Sequence, residues 1–203
     1  YHYSDSLIIG FSNLHLSGTG IGDLGDVLIM PYTGEVRLNK GRQEYPHGGY
    51  LSTFSHDNET AKPGYYAVKM DNGVKVELTA SERVGYHRYY FPEGEEAHIV
   101  IDLKEGIRDR AVETTLEQLD AHTLLGYRRS TGWAKEHLVF YAIKSSVPIT
   151  DLKYFEDGAF IDNISEDNHI VNALISFDTT PDLVELKVRI SPISSENALA
   201  NID

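Results

Sequence analysis

The sequence predicts an all-β fold, a large antiparallel two-sheet β-sandwich with few short helices. Three observations predict it. Short segments of alternating apolar and polar residues recur between turn signals. Thirteen tyrosines and seven phenylalanines stand against two methionines, a bias that suits strands. Helical periodicity is scarce. Many short strands with frequent turns fit two sheets packed face to face.

Taken in order, Leu7-Ile8-Ile9 and Val27-Leu28-Ile29-Met30 are apolar runs of strand length. Tyr65–Met70 and Val74–Ala80 flank Asp71-Asn72-Gly73, whose residues tolerate positive φ, so a hairpin is expected. Val74-Lys75-Val76-Glu77-Leu78 alternates strictly, as a half-solvated antiparallel strand does. Segments 87–91, 98–103, 137–144, 172–177 and 183–190 read similarly, with turns at 92–94, 157–158 and 180–182. Thr114–Leu125 fits a short helix or a strand, and Ser195–Ile202 reads as a terminal turn of helix.

The segment Gly10–Asp26 places five glycines among seventeen residues, with Ser12, Asn13, His15, Ser17, Thr19, Asp23 and Asp26. Glycine costs about 1 kcal/mol per helical position relative to alanine, so this is a loop between strands. Two readings stand: a shaped ligand-binding loop, or a series of tight turns. Gly18-Thr19-Gly20-Ile21-Gly22 lacks the lysine of a phosphate loop. The next apolar run is strand-like, which also excludes the dinucleotide fingerprint.

The chain has 203 residues, of which 41% are hydrophobic, enough for one large domain. Its net charge of −13 argues against a nucleic-acid partner. There is no cysteine, hence no disulfide framework and no thiolate metal site. No apolar run is long enough to span a membrane, and no signal-peptide pattern is visible.

Glycosidic cleavage commonly needs two facing carboxyl groups. Asp23, Asp26, Asp57 and Glu59 are the candidates, and the glycine-loop pair is expected to serve neighbouring backbone N–H groups instead. His56-Asp57-Asn58-Glu59 and Glu166-Asp167-Asn168-His169 gather metal-ligand types but lack calcium-loop or zinc spacing, so surface turns are expected. Alternation puts Arg83, Gly85 and His87 on one strand face and Val84, Tyr86 and Arg88 on the other. Either the cations pair with carboxylates, or this face supports the loop or binds hydroxyls. Trp133, the single tryptophan, is either a core or domain-interface anchor or a ring for sugar stacking.

Gly10-Phe11-Ser12, His15, Ser17-Gly18-Thr19-Gly20 and Asp23-Leu24-Gly25-Asp26 carry a resemblance. So do Phe54–Glu59, Pro63–Tyr66, Leu78-Thr79-Ala80 with Arg83–Tyr89, Tyr127–Ser130 with Gly132-Trp133-Ala134, and Ser195–Ala198. In this order they resemble the N-terminal domain of glycoside hydrolase family 92, the calcium-dependent exo-acting α-mannosidases. The family commonly shows histidine where this chain has Asn13.

The resemblance implies a galactose-mutarotase-like supersandwich over residues 1–203. The general acid, the general base and the calcium are expected in a helical-barrel catalytic domain downstream. No catalytic and no metal-binding residue is therefore assigned to this chain. Phe11, Ser12, Asn13, His15 and Trp133 are its candidate substrate-binding residues. Expected partners are mannose-containing oligosaccharides or N-glycans and the catalytic domain of the same polypeptide. The resemblance also implies a bacterial protein, secreted or periplasmic. A free-standing carbohydrate-binding module is the alternative. An aldose epimerase would need a histidine and a glutamate facing each other, such as His56 with Glu59 or His87 with Glu82.

Overall fold

The computed structural model describes residues 3–15, 24–42, 45, 48–162, 170–178 and 181–202. Alternating segments become antiparallel ladders because each buries one side-chain face per strand. The larger sheet has nine strands in the order β1 (Leu7–Ile8), β5 (Ser52–Lys62), β6 (Tyr65–Met70), β7 (Lys75–Ala80), β8 (Gly85–Tyr90), β16 (Leu183–Ser191), β12 (His137–Ser145), β11 (Thr123–Thr131) and β10 (Arg110–Asp120). The smaller has five: β14 (Ala159–Ile161), β13 (Asp151–Glu156), β15 (Asn172–Ser176), β9 (Ala97–Asp102) and β4 (Leu28–Thr33). A short ribbon pairs β2 (Leu14–His15) with β3 (Leu24–Asp26).

The core lies between the two large sheets. Val76, Tyr89, Val184, Leu186, Tyr141, Ile143 and Leu124 enter it from the nine-stranded sheet, and Ile29, Met30, Ile99, Ile101, Ala173 and Ile175 from the other. Every residue of β9 is buried, and Tyr50 of the β4–β5 connection joins the same cluster. That double coverage explains the unbroken apolar run Ile99-Val100-Ile101. The β6–β7 turn forms as expected: Gly73 has φ +91°, and Asn72 Oδ1 accepts the Val74 N–H at 3.1 Å.

Thr114–Leu125 resolves into strand rather than helix. Thr114 and Leu116 point inward from β10, and Leu124 does so from β11. The turn between them has no glycine; Asp120 Oδ1 caps it by accepting the His122 N–H at 2.7 Å. The single helix among the described residues, α1 (Ser195–Ala200), starts where Ser194 Oγ accepts the Asn197 N–H at 3.1 Å. It lies on the outer face of the nine-stranded sheet, where Ala198 packs with Val84, Leu125 and Ala142. β5 is not anticipated by the sequence pattern. It is long and polar because it lies beside the two-residue edge strand β1, with a register break between Phe54 and Glu59.

Candidate functional site

The glycine-rich loop enters and leaves through a paired stem. Phe11 and Ile29 exchange backbone hydrogen bonds of 2.9 and 3.1 Å, and the Asn13 N–H donates to the Asp26 carbonyl at 3.1 Å. Two buried polar networks hold this stem.

The first runs through Asn13. Its Nδ2 donates to the Val27 carbonyl at 3.0 Å, which leaves Oδ1 to accept from His87 Nε2 at 3.0 Å. The other ring nitrogen of His87 is therefore an acceptor, and the Tyr89 hydroxyl donates to it at 2.7 Å. Burial pushes the His87 pKa down to about 4, so the ring is neutral at pH 7. Asn13 also lies directly over Gly85, where a Cβ would sit 2.7 Å from its Oδ1. Only glycine permits that approach.

The second network runs through Asp26. Arg128 of β11 is wholly buried and donates from Nη1 to Asp26 Oδ1 at 2.8 Å and to Asp109 Oδ2 at 2.6 Å. Its Nε donates to the Leu103 carbonyl at 2.9 Å and its Nη2 to that of Glu105 at 3.3 Å. The second oxygen of Asp26 accepts from His137 Nε2 at 2.9 Å. A Cβ on Gly106 would fall 1.9 Å from Asp109 Oδ1 and 2.8 Å from Arg128 Nη2. The backbone around Asp26 is strained, with Leu24 at φ +69° and Val27 at φ +56°. For residues with a Cβ each costs about 1–2 kcal/mol, and such strain persists only where surrounding contacts over-determine it.

His137 opens β12, so its bond to Asp26 ties the loop stem to the β11–β12 hairpin. That hairpin carries Trp133, which is 71% exposed. Its turn is braced by Thr131 Oγ1 donating to the Lys135 carbonyl at 2.9 Å. A buried carboxylate thus ties the stem of the glycine-rich segment to the hairpin that carries the exposed indole.

Residues 1–191 match the glycosyl hydrolase family 92 N-terminal domain. The chain belongs to that family. It is 37% identical to a family GH92 alpha-mannosidase of Bacteroides thetaiotaomicron, BT3965, with a TM-score of 0.91 over 100% of this chain and 29% of that one. Against the inverting mannosidase BT2199 of the same organism the identity is 25% and the TM-score 0.80, over 100% of this chain and 26% of the other. An uncharacterized secreted glycosidase of Arthroderma benhamiae is 30% identical over 129 residues, 59% of this chain and 16% of that protein. The chain therefore spans less than a third of these relatives and corresponds to the N-terminal domain of the family 92 mannosidases.

Among the candidate residues of this family 92 domain, Phe11 lies in the core, tilted against Tyr66 with centroids 6.4 Å apart. Ser12 is half-buried, and Asn13 has both ends of its amide engaged. His15 belongs to β2, with its side chain outside the described residues, as are Ser17, Thr19 and Asp23. Asp26 differs from expectation: an arginine and a histidine, rather than loop N–H groups, take its carboxylate. Spacing gives no sign of this, because those partners lie 102 and 111 positions away.

His56 and Glu59 are bonded directly at 2.6 Å on β5, with Tyr3 stacked on the imidazole. They form a clip on the N-terminal segment rather than a pair facing across a cleft. The hydrogen bond to the Glu59 carboxylate is the main cause that raises the His56 pKa. His87 meets Asn13 and Tyr89, not Glu82. Arg88 pairs with Glu185 at 2.5 Å on the exposed sheet face, as expected of a cation among carboxylates. Among the described residues no group of three or more His, Cys, Asp or Glu is placed to hold a metal; residues 166–169 lie outside them. A polar cleft of about 420 Å³, lined by Thr33, Arg37, Thr53, Asp71 and Asn72, sits at the far end of β4 from the loop.

Proposed function

We propose that this chain forms one wall of the saccharide pocket of an α-mannosidase that releases non-reducing terminal mannose with inversion. The single observation that carries the reading is the 2.9 Å bond from His137 to Asp26, which ties the stem of the glycine-rich segment to the hairpin of Trp133. A polar segment whose stem is tied to a hairpin bearing an exposed ring suits a ligand with hydroxyls on its edges and apolar C–H faces. Two relatives support the ligand class and the stereochemistry: BT3965 has been solved in complex with mannoimidazole, and BT2199 is an inverting mannosidase.

In this division of labour the general acid, the general base and the calcium belong to the catalytic domain of the same polypeptide. Inversion then proceeds by direct attack of a base-activated water. The residues of this chain bind and orient. Ser12 and the loop offer hydroxyl partners, Trp133 offers a stacking face, and Phe11 and Asn13 shape the stem from below. The substrates are mannose-containing oligosaccharides or N-glycans, and export is supported by the secreted relative.

The test is kinetic. Trp133→Ala in the full-length protein is expected to raise KM for 4-nitrophenyl α-D-mannopyranoside, while the 203-residue chain alone turns over none. Turnover by the rigorously purified chain would overturn the division of labour. The exposure of Trp133 also favours a second reading, a free-standing carbohydrate-binding module. Calorimetry with mannose and mannobiose separates the two: affinity tighter than about 1 mM, roughly −4 kcal/mol, supports the module.

A further inference from the structure

We propose that the polar cleft at the far end of β4 is a second saccharide site, which binds a neutral sugar unit away from the pocket of the proposed function. The cleft's own chemistry carries the site, and only the choice of mannose as its ligand rests on the mannosidase reading. The cleft, of about 420 Å³, opens between β4 of the smaller sheet and β5 and the β6–β7 turn of the larger. Small-molecule pockets span about 300–1,000 Å³, so one sugar unit fits. Thr33 closes β4, whereas Ile29 pairs with the glycine-loop stem, and about 13 Å of strand separates them.

Its walls are fixed by hydrogen bonds that cross between the sheets. Thr33 Oγ1 donates to the Asn72 carbonyl at 2.9 Å, and Asn72 Nδ2 donates to the Pro31 carbonyl at 3.2 Å. The turn that carries Arg37 is held by the buried Tyr32 hydroxyl. That hydroxyl accepts the Arg37 N–H at 3.1 Å and donates to the Arg37 carbonyl at 3.3 Å. Gly73, at φ +91°, lets Pro92 close one side, since a Cβ there would lie 2.8 Å from the proline Cγ. A cleft built before its ligand arrives lowers the ordering cost of binding.

The groups that line it are left available. Among the described residues, the Arg37 guanidinium has one bond, from Nη1 to the Gly49 carbonyl at a marginal 3.5 Å, and no ion pair. Asp71 gives Oδ2 to the Thr53 hydroxyl at 2.5 Å and keeps Oδ1, and the Glu95 carboxylate has no partner among the described residues. Thr33 and Thr53 have committed their hydroxyl hydrogens to a carbonyl and a carboxylate, so both oxygens can only accept. A guanidinium fork, two carboxylates and two accepting oxygens thus share one space without cancelling one another. Neighbouring sugar hydroxyls, each donating and accepting, match that set. Two carboxylates against one cation disfavour an anionic ligand, and Arg37 disfavours a cationic one. Leu51 and Pro92 add apolar contact for the C–H faces of a ring.

The experiment is a ligand-observed NMR titration of the full-length protein with methyl α-D-mannopyranoside, with and without saturating mannoimidazole. Binding should persist when mannoimidazole is present. Arg37→Ala removes only the marginal bond, and Asp71→Asn keeps an oxygen for Thr53, so both should fold. Each should weaken the persistent binding about tenfold, as loss of a charged hydrogen-bond partner does, and the exposed Glu95→Gln gives a third reading. Turnover of 4-nitrophenyl α-D-mannopyranoside should stay within about twofold in all three. If mannoimidazole abolishes all sugar binding, or if none of the three variants weakens what persists, the second site fails and the mannosidase reading stands. If variant-sensitive binding appears in a protein that neither turns over the aryl mannoside nor responds to mannoimidazole, the mannosidase reading fails and the site stands. Tighter binding of mannose 6-phosphate than of methyl α-D-mannopyranoside would overturn the assignment to a neutral sugar.

Discussion

Arg128 and Asp26, 102 positions apart in the chain, meet at 2.8 Å with both side chains at 0% exposure. The pair joins β11 of the nine-stranded sheet to the last residue of the glycine-loop stem, so a charged contact stands where the sandwich would otherwise need apolar packing. Buried ion pairs seldom add net stability over a hydrophobic replacement, but removing one partner strands the other. Arg128→Ala would leave two buried carboxylates, Asp26 and Asp109, without their cation. The expected loss is about 3–5 kcal/mol, read as a lower urea midpoint at unchanged slope. A loss under about 1 kcal/mol would show that the network is not what holds the stem.

Gly106→Ala attacks the same network from the backbone. The added methyl would meet Asp109 Oδ1 at 1.9 Å and Arg128 Nη2 at 2.8 Å, and Arg128 is already fixed by two carbonyls. Overpacking of this kind costs about 1–3 kcal/mol. Gly64→Ala and Gly94→Ala serve as controls, since a Cβ there meets nothing within 4 Å. Both have positive φ, so their losses measure backbone strain without collision. Gly106 is outside that φ region, so its loss measures the collision. Thermal unfolding of the three variants side by side gives the comparison, and a Gly106→Ala protein as stable as the parent would show that the network yields to the added methyl.

The fold is legible in the sequence wherever one strand face is buried and the other wet. Val74–Leu78 alternates because Val76 enters the core while Lys75 and Glu77 meet Tyr90 and Arg88 outside. Thr114–Leu125 stays ambiguous because its chain reversal uses Ala121 and His122 instead of glycine, so the turn leaves no mark in the composition. β5 escapes the pattern because its outer half, Ser55–Lys62, buries little and shows no apolar period. At the site, the glycine-rich loop and Trp133 are visible as residue types. Their connection is not. It depends on Arg128 and His137, which a single sequence presents as ordinary basic residues of two strands far from Asp26.

His87 sets a pH dependence with a definite sign. Its folded pKa of about 4 lies below the ordinary value of 6.5, so the unfolded chain takes up its proton first as pH falls. Stability from this group is full above pH 6.5, declines from there to about pH 4, and is level below; the total is about 3 kcal/mol. Burial lowers the His98 pKa as well, which adds in the same direction. His56, raised chiefly by its bond to Glu59, acts oppositely: its contribution is present below pH 6.5 and is lost as pH rises through its folded value. Urea unfolding at pH 7.5 and 4.5 should therefore show a smaller difference in His87→Gln than in the parent. Equal differences would mean that the ring does not titrate as its burial requires.

Asn13 separates shaping the loop from touching the ligand. Asn13→Ala removes the acceptor for the buried His87 Nε2 and the donor to the Val27 carbonyl, leaving two polar groups unmatched. Each such group costs about 1–3 kcal/mol, so the variant should lose roughly 2–6 kcal/mol of stability. Asn13→Asp keeps an oxygen for His87 but turns the donor toward Val27 into an acceptor, placing a charge opposite a carbonyl, and should be no better. A histidine at this position replaces the amide above Gly85 with a larger ring, at a place where a Cβ on Gly85 would already come within 2.7 Å of Asn13 Oδ1. Asn13→His is thus expected to shift KM for aryl mannosides as well as stability, and the ratio of the two effects reads how far the stem controls the saccharide pocket. A stability loss with KM unchanged would confine Asn13 to the fold; a KM change without any stability loss would place its amide on the sugar instead.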